Sequence, residues 1–318
     1  MEQMKSNTRM AGVDVGKSWL DAAVHGDDAP VARFGNDREG VAELIAWLKT
    51  REVSRVGMEA TGGYERDLRQ ACDATGFEVV VHQPMEVKLF ARLKRKRAKT
   101  DALDARLIAA ATAQIDAVRA AQDPRLAELA ERLTAYEQIT DQAAQLKTCL
   151  EQTRLKDVIR RFNGLIRTLE RTKAELLTDM LRRVEAEPDL LARFKLLTSL
   201  PGHGQVVALG ELIRMPELGS LERGQAAALL GVAPYDRQSG QMKGQSTIAG
   251  GRSRPRRLLY LAALSAKRCD PSFKAFAERL AAQGKPPKKV IVAVMRKLIE
   301  AANLILKRGH PWTKQPAT

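Results

Sequence analysis

Between residues 123 and 187 the only glycine is Gly164, and no proline falls between Pro124 and Pro188. Apolar side chains recur there at intervals of three or four: Leu126, Leu129, Leu133, Tyr136, Ile139, Ala143 and Leu146, then Leu155, Val158, Ile159, Phe162, Leu165, Ile166, Leu169, Leu176, Leu177, Met180 and Val184. A stretch with that period and no breakers predicts a long helical hairpin or coiled coil. It divides the 318-residue chain into three expected parts: 1–120, a helical linker at 121–190, and 191–318. Such a hairpin serves either as a dimerisation arm or as a spacer packed on its own chain.

The first part has a different rhythm. MAGVDVG and LDAAVHG predict consecutive strands punctuated by Gly16 and Gly26, and VARFGN a third. Asn36 is placed to cap a helix over 37–50, where Val41, Leu44, Ile45 and Leu48 share one face. A short buried strand over 54–60, a helix over 63–74, the strand FEVVVHQP and helices over 85–93 and 100–113 follow. Three strands followed by alternating helices and strands is the order of a ribonuclease-H-like α/β fold.

Four carboxylates fall at element boundaries of that fold. Asp14 ends the first strand in GVDVGK, Glu59 ends the fourth in GMEATGGY, and Asp101 and Asp104 in KTDALDA are three apart on one helix face. Clustered carboxylates repel unless a counter-charge is supplied. A hard divalent cation such as Mg²⁺ supplies it through oxygen ligands. Two such ions about 3.5–4 Å apart can activate an attacking oxygen and stabilise a leaving one in phosphodiester chemistry. Just before the acidic pair, RLKRKRAK places Arg92, Lys94, Arg95, Lys96, Arg97 and Lys99 in eight residues, suited to phosphate.

Net charge strengthens that reading. At +15, with a pI near 9.9, the chain suits a polyanionic partner. Aromatic residues are only 4% of the chain, which disfavours base stacking as the main mode of contact. No apolar run approaches the ~20 residues of a membrane span. The polar first ten residues lack a signal-peptide core, so a cytoplasmic protein with no membrane partner is expected. Three dispersed cysteines and four dispersed histidines give no zinc spacing.

The third part is helical and basic. LLTSLPGHGQVVALGELI is similar to a helix-hairpin-helix whose Gly202 and Gly204 would present backbone N–H groups to phosphate. Next comes a loop-rich stretch over 232–254, in which Arg237, Lys243, Arg252, Arg254, Arg256 and Arg257 surround hydroxyls in and just beyond it. A hydroxyl beside guanidinium groups can attack a phosphodiester if a base or metal manages its proton. Composition does not choose among Ser239, Ser246, Thr247 and Ser253.

The chain resembles the DEDD-type insertion-sequence transposases, the insertion-sequence 110 family of bridge recombinases. GVDVGK, GMEATGGY and KTDALDA carry the likeness in the first part. LPGHG, LLGVAPYDRQSG, GQSTIAGGR and RRLLYLAALSAKRCDP carry it in the last. The resemblance implies a RuvC-like domain, a coiled-coil linker and a mainly helical transposase domain. It implies catalytic, metal-holding roles for Asp14, Glu59, Asp101 and Asp104, with two Mg²⁺ ions (or Mn²⁺). The SG after the AP-x-x-R element makes Ser239 the nucleophile, within DRQSG where the family more usually has Asn-Arg-Asp-Ser-Gly. GGR puts Gly250, Gly251 and Arg252 near DNA phosphate. Further implied are donor and target DNA, a guiding non-coding bridge RNA, and a homo-oligomer, dimer to tetramer, with one subunit's carboxylates beside another's serine. Three alternatives compete. A RuvC-like nuclease with water as nucleophile would tolerate loss of Ser239. A non-catalytic nucleic-acid-binding protein would tolerate Asp14→Asn. An actin-like ATPase would suit GVDVGKS but not the basic charge.

Overall fold

The computed structural model describes residues 9–94, 101–116, 123–235, 238–239, 242–243 and 247–313. The chain forms two compact units, Met1–Gln122 and Asp123–Thr318.

In the first unit β1 (Arg9–Val15), β2 (Trp19–Val24) and β3 (Ala32–Gly35) form an antiparallel meander. After α1 (Arg38–Thr50), β4 (Val53–Glu59) pairs parallel to β1. After α2 (Arg66–Ala74), β5 (Glu78–His82) pairs parallel to β4. The sheet order is β3-β2-β1-β4-β5, so the first and fourth strands are neighbours. Helices α3 (Pro84–Leu93) and α4 (Asp101–Thr112) follow.

Alternation along the strands gives the sheet two faces. Val13, Val15, Leu20, Ala22, Val56 and Met58 form one, buried against Val41, Leu44 and Leu48 of α1 and Leu68 and Cys72 of α2. The opposite face is covered by α4. Gly12 lies against the α4 backbone, where an added methyl would meet the carbonyl of Ala105 and the amide of Ala109; Gly57 lies against Thr112. Only glycine lets helix and strand approach so closely.

Two boundaries differ from the sequence expectation. Asp37, not Asn36, caps α1, accepting from the Gly40 amide at 2.9 Å. The Asn36 amide is occupied elsewhere, as described below. Helix α2 starts at Arg66 rather than 63, because Gly62 and Gly63 take φ of +78° and +119°, which a helix does not contain.

The second unit is helical. α5 (Pro124–Gln152) and α6 (Lys156–Glu185) run antiparallel, tied by Arg132–Asp179 at 2.9 Å and Lys147–Glu170 at 2.8 Å. Exposed pairs like these contribute little, ~0–1 kcal/mol. The hairpin is anchored instead by Leu126, Leu129, Leu133, Met180 and Val184, which share one core with the remaining helices. Each such side chain contributes roughly 1.5–3 kcal/mol. Those helices are α7 (Pro188–Thr198), α8 (Gln205–Arg214), α9 (Gln225–Leu230), α10 (Ser253–Cys269), α11 (Pro271–Ala282) and α12 (Pro287–Arg308). The stretch read as loop contains two short ladders: β6 (Pro234–Tyr235) with β9 (Thr247–Ile248), and between them β7 (Gln238–Ser239) with β8 (Met242–Lys243). Among the described residues no helix is long and apolar enough to cross a membrane.

Candidate carboxylate site and serine hairpin

Residues opposite one another on neighbouring strands point to the same face. Arg33 pairs with Asp21, Asp21 with Asp14, and Glu59 with His82. The β1–β4 register, Val13 with Met58, puts Asp14 beside Glu59 at the next step. The result is one polar row, Arg33–Asp21–Asp14–Glu59–His82, across all five strands on the face that α4 covers. Directly below it runs a small-residue row, Ala23–Gly12–Gly57, on which α4 sits. Helix α4 thus lies against the sheet beside the ends of β1 and β4 where Asp14 and Glu59 stand, and Asp101 and Asp104 occupy its first turn.

Each end of the row is satisfied within the protein. Arg33 donates two bonds of 2.7 Å to Asp21, whose side chain is 9% exposed. His82 Nε2 lies 2.9 Å from Thr112 Oγ1 of α4, and burial pushes its imidazole below the usual value despite the nearby Glu86. A neutral His82 adds no charge beside Glu59. The row is therefore tied to α4 at its His82 end and closed by the β2–β3 ion pair at the other, with Asp14 and Glu59 between. Sequence reasoning missed Asp21, Arg33 and His82; their strand alternation was visible, but not the register that aligns them.

The loops that leave Asp14 and Glu59 are fastened to each other. The Asn36 side-chain amide donates to the Gly16 carbonyl at 2.8 Å, just after β1, and to the Tyr64 carbonyl at 3.2 Å, just before α2. Glu65 Oε2 accepts from Gly63 N at 2.9 Å and from Thr61 N and Oγ1 at 3.2 Å, closing the Thr-Gly-Gly turn behind Glu59. Partial burial pushes the Glu65 carboxyl up, but the bonds from N–H and O–H donors outweigh it and hold it below the usual carboxylate value. Charge-assisted bonds of this kind stiffen a turn.

Asp14, Glu59 and the α4 acids offer carboxylate oxygens only, the donor chemistry of a hard divalent cation. Among the described residues no three His, Cys, Asp or Glu side chains form a group able to hold a metal ion. The side chain of Asp101 lies outside the described residues.

In the second unit Ser239 is the last paired residue of β7, opposite Met242, on a hairpin carried by the β6–β9 ladder. The base of that ladder is closed by glycines. Gly231 (φ +81°) and Gly251 (φ +70°) abut so closely that a methyl on either would enter the other segment's backbone. Arg252 N donates to the Leu229 carbonyl at 3.0 Å. The GGR element thus returns the chain to the end of α9.

The arginines expected to meet DNA are largely engaged by protein acids. Arg252 grips Glu217 at 2.6 and 2.8 Å, Arg254 pairs with Glu137 at 2.7 Å and Arg257 with Asp141 at 2.6 Å. Arg256 donates to the Gly250 carbonyl at 2.6 Å. Gly202 (φ +77°) packs on α10, while Gly204, which precedes α8, faces open space. Between them His203 is buried, its Nε2 3.2 Å from Glu211 Oε1. Arg92 lies in the last turn of α3, followed by its capping residue Lys94. Arg95, Lys96, Arg97, Lys99 and Arg237 lie outside the described residues, as does the side chain of Lys243.

Residues 11–160 match the family model for DEDD transposases of the IS110 type, described as Transposase. Residues 194–278 match a second, described as Transposase IS116/IS110/IS902 family. Two relatives, each described as a pilin gene-inverting protein, come from Moraxella lacunata and Moraxella bovis. Each is 26% identical over 321 residues, covering 96% of this chain and 97% of the relative. The first match spans all four carboxylates and the second spans Ser239.

Proposed function

The chain belongs to the DEDD transposases of the IS110 type, enzymes that cut and rejoin DNA, and from that premise we propose that it is the RNA-guided recombinase of an insertion sequence with Ser239 as its nucleophile. The observation that carries the proposal is the polar row that sets Asp14 and Glu59 side by side at the ends of parallel strands, on the face covered by the helix bearing Asp101 and Asp104. That arrangement, with the strand order of the sheet, supports a RuvC-like domain in the first unit.

In this reading Asp14, Glu59, Asp101 and Asp104 hold divalent cations, Mg²⁺ or Mn²⁺. Bound there, the metal would make an attacking oxygen more acidic and stabilise charge on phosphate oxygens. Ser239 Oγ forms a bond to phosphorus, a deoxyribose oxygen leaves with a proton, and a phosphoserine links protein to DNA. Attack by a hydroxyl from the exchanged strand reverses the step and releases Ser239. Aromatic residues make up only 4% of the chain, which leaves few platforms for base stacking and agrees with a guide RNA that pairs with donor and target DNA. The Moraxella relatives are described as inverting a pilin gene; inversion needs the same cutting and rejoining. Leu155 and Leu165, exposed at the far end of the α5–α6 hairpin, suit contact with a second copy in a homo-oligomer.

The test incubates the protein with Mg²⁺, its element's flanking non-coding RNA, and labelled donor and target DNA. Wild type gives a denaturant-resistant protein–DNA adduct and recombinant product, and Ser239→Ala and Asp14→Asn give neither. Cutting by Ser239→Ala at the wild-type rate with no adduct from either protein would replace this mechanism with metal-activated water.

A further inference from the structure

Beside the β6–β9 ladder lies a groove of about 1110 Å³ within the second unit. That volume is slightly above the usual range for small-molecule sites, ~300–1,000 Å³. Six cations line it: Arg256, Arg257, Lys285, Lys288, Lys289 and Arg296. Among the described residues no Asp or Glu does. Its floor is apolar, built from Val232, Ile248, Leu280, Val292 and Met295, with the Tyr260 ring 40% exposed at its side.

These cations differ in how far the protein has claimed them. Arg257 is paired with Asp141 and Arg296 with Glu300. The side chains of Lys285 and Lys288 make no hydrogen bond or ion pair among the described residues. Lys288 also stands in the first turn of α12, which holds no acid. A cation is disfavoured there by the helix dipole, so Lys288 costs stability unless an anion arrives.

We propose that this groove binds an unpaired DNA strand at the point of cleavage, its phosphates on Lys285 and Lys288 and one unstacked base on the apolar floor against Tyr260. Duplex DNA presents phosphates and sugars to a protein surface and would leave the floor unused. An unpaired strand presents both phosphates and flat apolar bases, the two chemistries that this groove offers. The placement follows from chain length: Ser239 is five residues beyond Pro234, which lines the groove, and so lies within about 18 Å of it. This inference rests on the reading of Ser239 as the residue that attacks DNA.

The test uses the full chain carrying Ser239→Ala and measures fluorescence anisotropy of a short fluorescein-labelled thymidine oligomer, its RNA counterpart, and a duplex of equal length, over a salt series. Lys285→Ala/Lys288→Ala is expected to lower the single-strand salt slope by about 1.4, at roughly 0.7 per phosphate contact. Tyr260→Ala is expected to weaken single-strand binding about 5- to 160-fold while duplex binding holds. The proposal is overturned if neither variant alters single-strand binding, if both weaken duplex and single strand alike, or if the RNA oligomer binds more tightly and depends on the same residues. The lysines lie outside the core, so the double variant decides the matter even if Tyr260→Ala unfolds. Failure of wild type to form the covalent adduct would refute the nucleophile reading separately, because the binding assay does not depend on it.

Discussion

Gly12→Ala tests whether the seat of α4 on β1 sets the geometry of the carboxylates. The added methyl would stand 2.8 Å from the Cα of Ala109 and press on the Ala105 carbonyl and the Ala109 amide, all of them backbone. Carbon–carbon contact settles at about 3.5–4.0 Å. No side chain can rotate away, so α4 must recede by roughly 1 Å, taking Asp101 and Asp104 away from Asp14 and Glu59. Overpacking of this kind costs about 1–3 kcal/mol, which leaves most of a typical domain's stability of ~5–15 kcal/mol. A misplacement of about 1 Å at a reacting centre costs on the order of 100-fold in rate. The expected outcome is a folded protein by circular dichroism, with a lower melting temperature and an adduct-formation rate reduced about 100-fold at a temperature where both proteins are folded. Gly57→Ala provides a graded comparison, because the obstacle there is the Thr112 side chain. A Gly12→Ala protein with wild-type melting and wild-type rate would refute the close seating of α4.

Other outcomes follow from particular contacts. Burial pushes the His203 imidazole down, but Glu211 and the Pro201 carbonyl outweigh it and leave the group above its usual value. Because the folded value is raised, its stabilisation is complete below about pH 6.5 and is lost as pH rises through the folded value. The wild-type melting temperature should therefore fall over that range more than that of His203→Gln, and parallel profiles would exclude the pairing. Glu65 is shifted the other way, so its hold on Thr61 and Gly63 persists above about pH 4.5 and fails as pH drops through its lowered folded value. In Glu65→Ala the amides of Thr61 and Gly63 should exchange faster already at neutral pH; unchanged exchange would remove Glu65 as the clamp. Gly164→Ala sits in α6 with nothing within 4 Å and should stabilise the helix by about 1 kcal/mol. That corresponds to a rise of roughly 2–4 °C in melting temperature, and a fall would show that the helix bends or packs at that point.

The element positions of the candidate carboxylates were legible locally. Asp14 and Glu59 end apolar strands, and a spacing of three puts Asp101 and Asp104 on one helical face, because strand and helix periods are properties of the local chain. The α5–α6 hairpin was legible for the same reason, from a long apolar period without breakers. Helix caps were less so: Asn36 and Asp37 are both competent, and the choice depended on the partners 20 and 28 residues away that engage the Asn36 amide.

Charge was the least local property. Arg254 and Arg257 look free beside the Ser239 segment, yet α5 brings Glu137 and Asp141 to them from more than a hundred residues away. Lys285 and Lys288, in an unremarkable Lys-Pro-Pro-Lys-Lys run, remain without side-chain partners among the described residues. The sequence by itself determined the periods, the strand-end acids and the excess of positive charge, because these depend on neighbours along the chain. Only the tertiary structure decided which cations are neutralised and that Arg33, Asp21, Asp14, Glu59 and His82 stand in one row. Strand register and long-range ion pairs are settled by how separate elements pack.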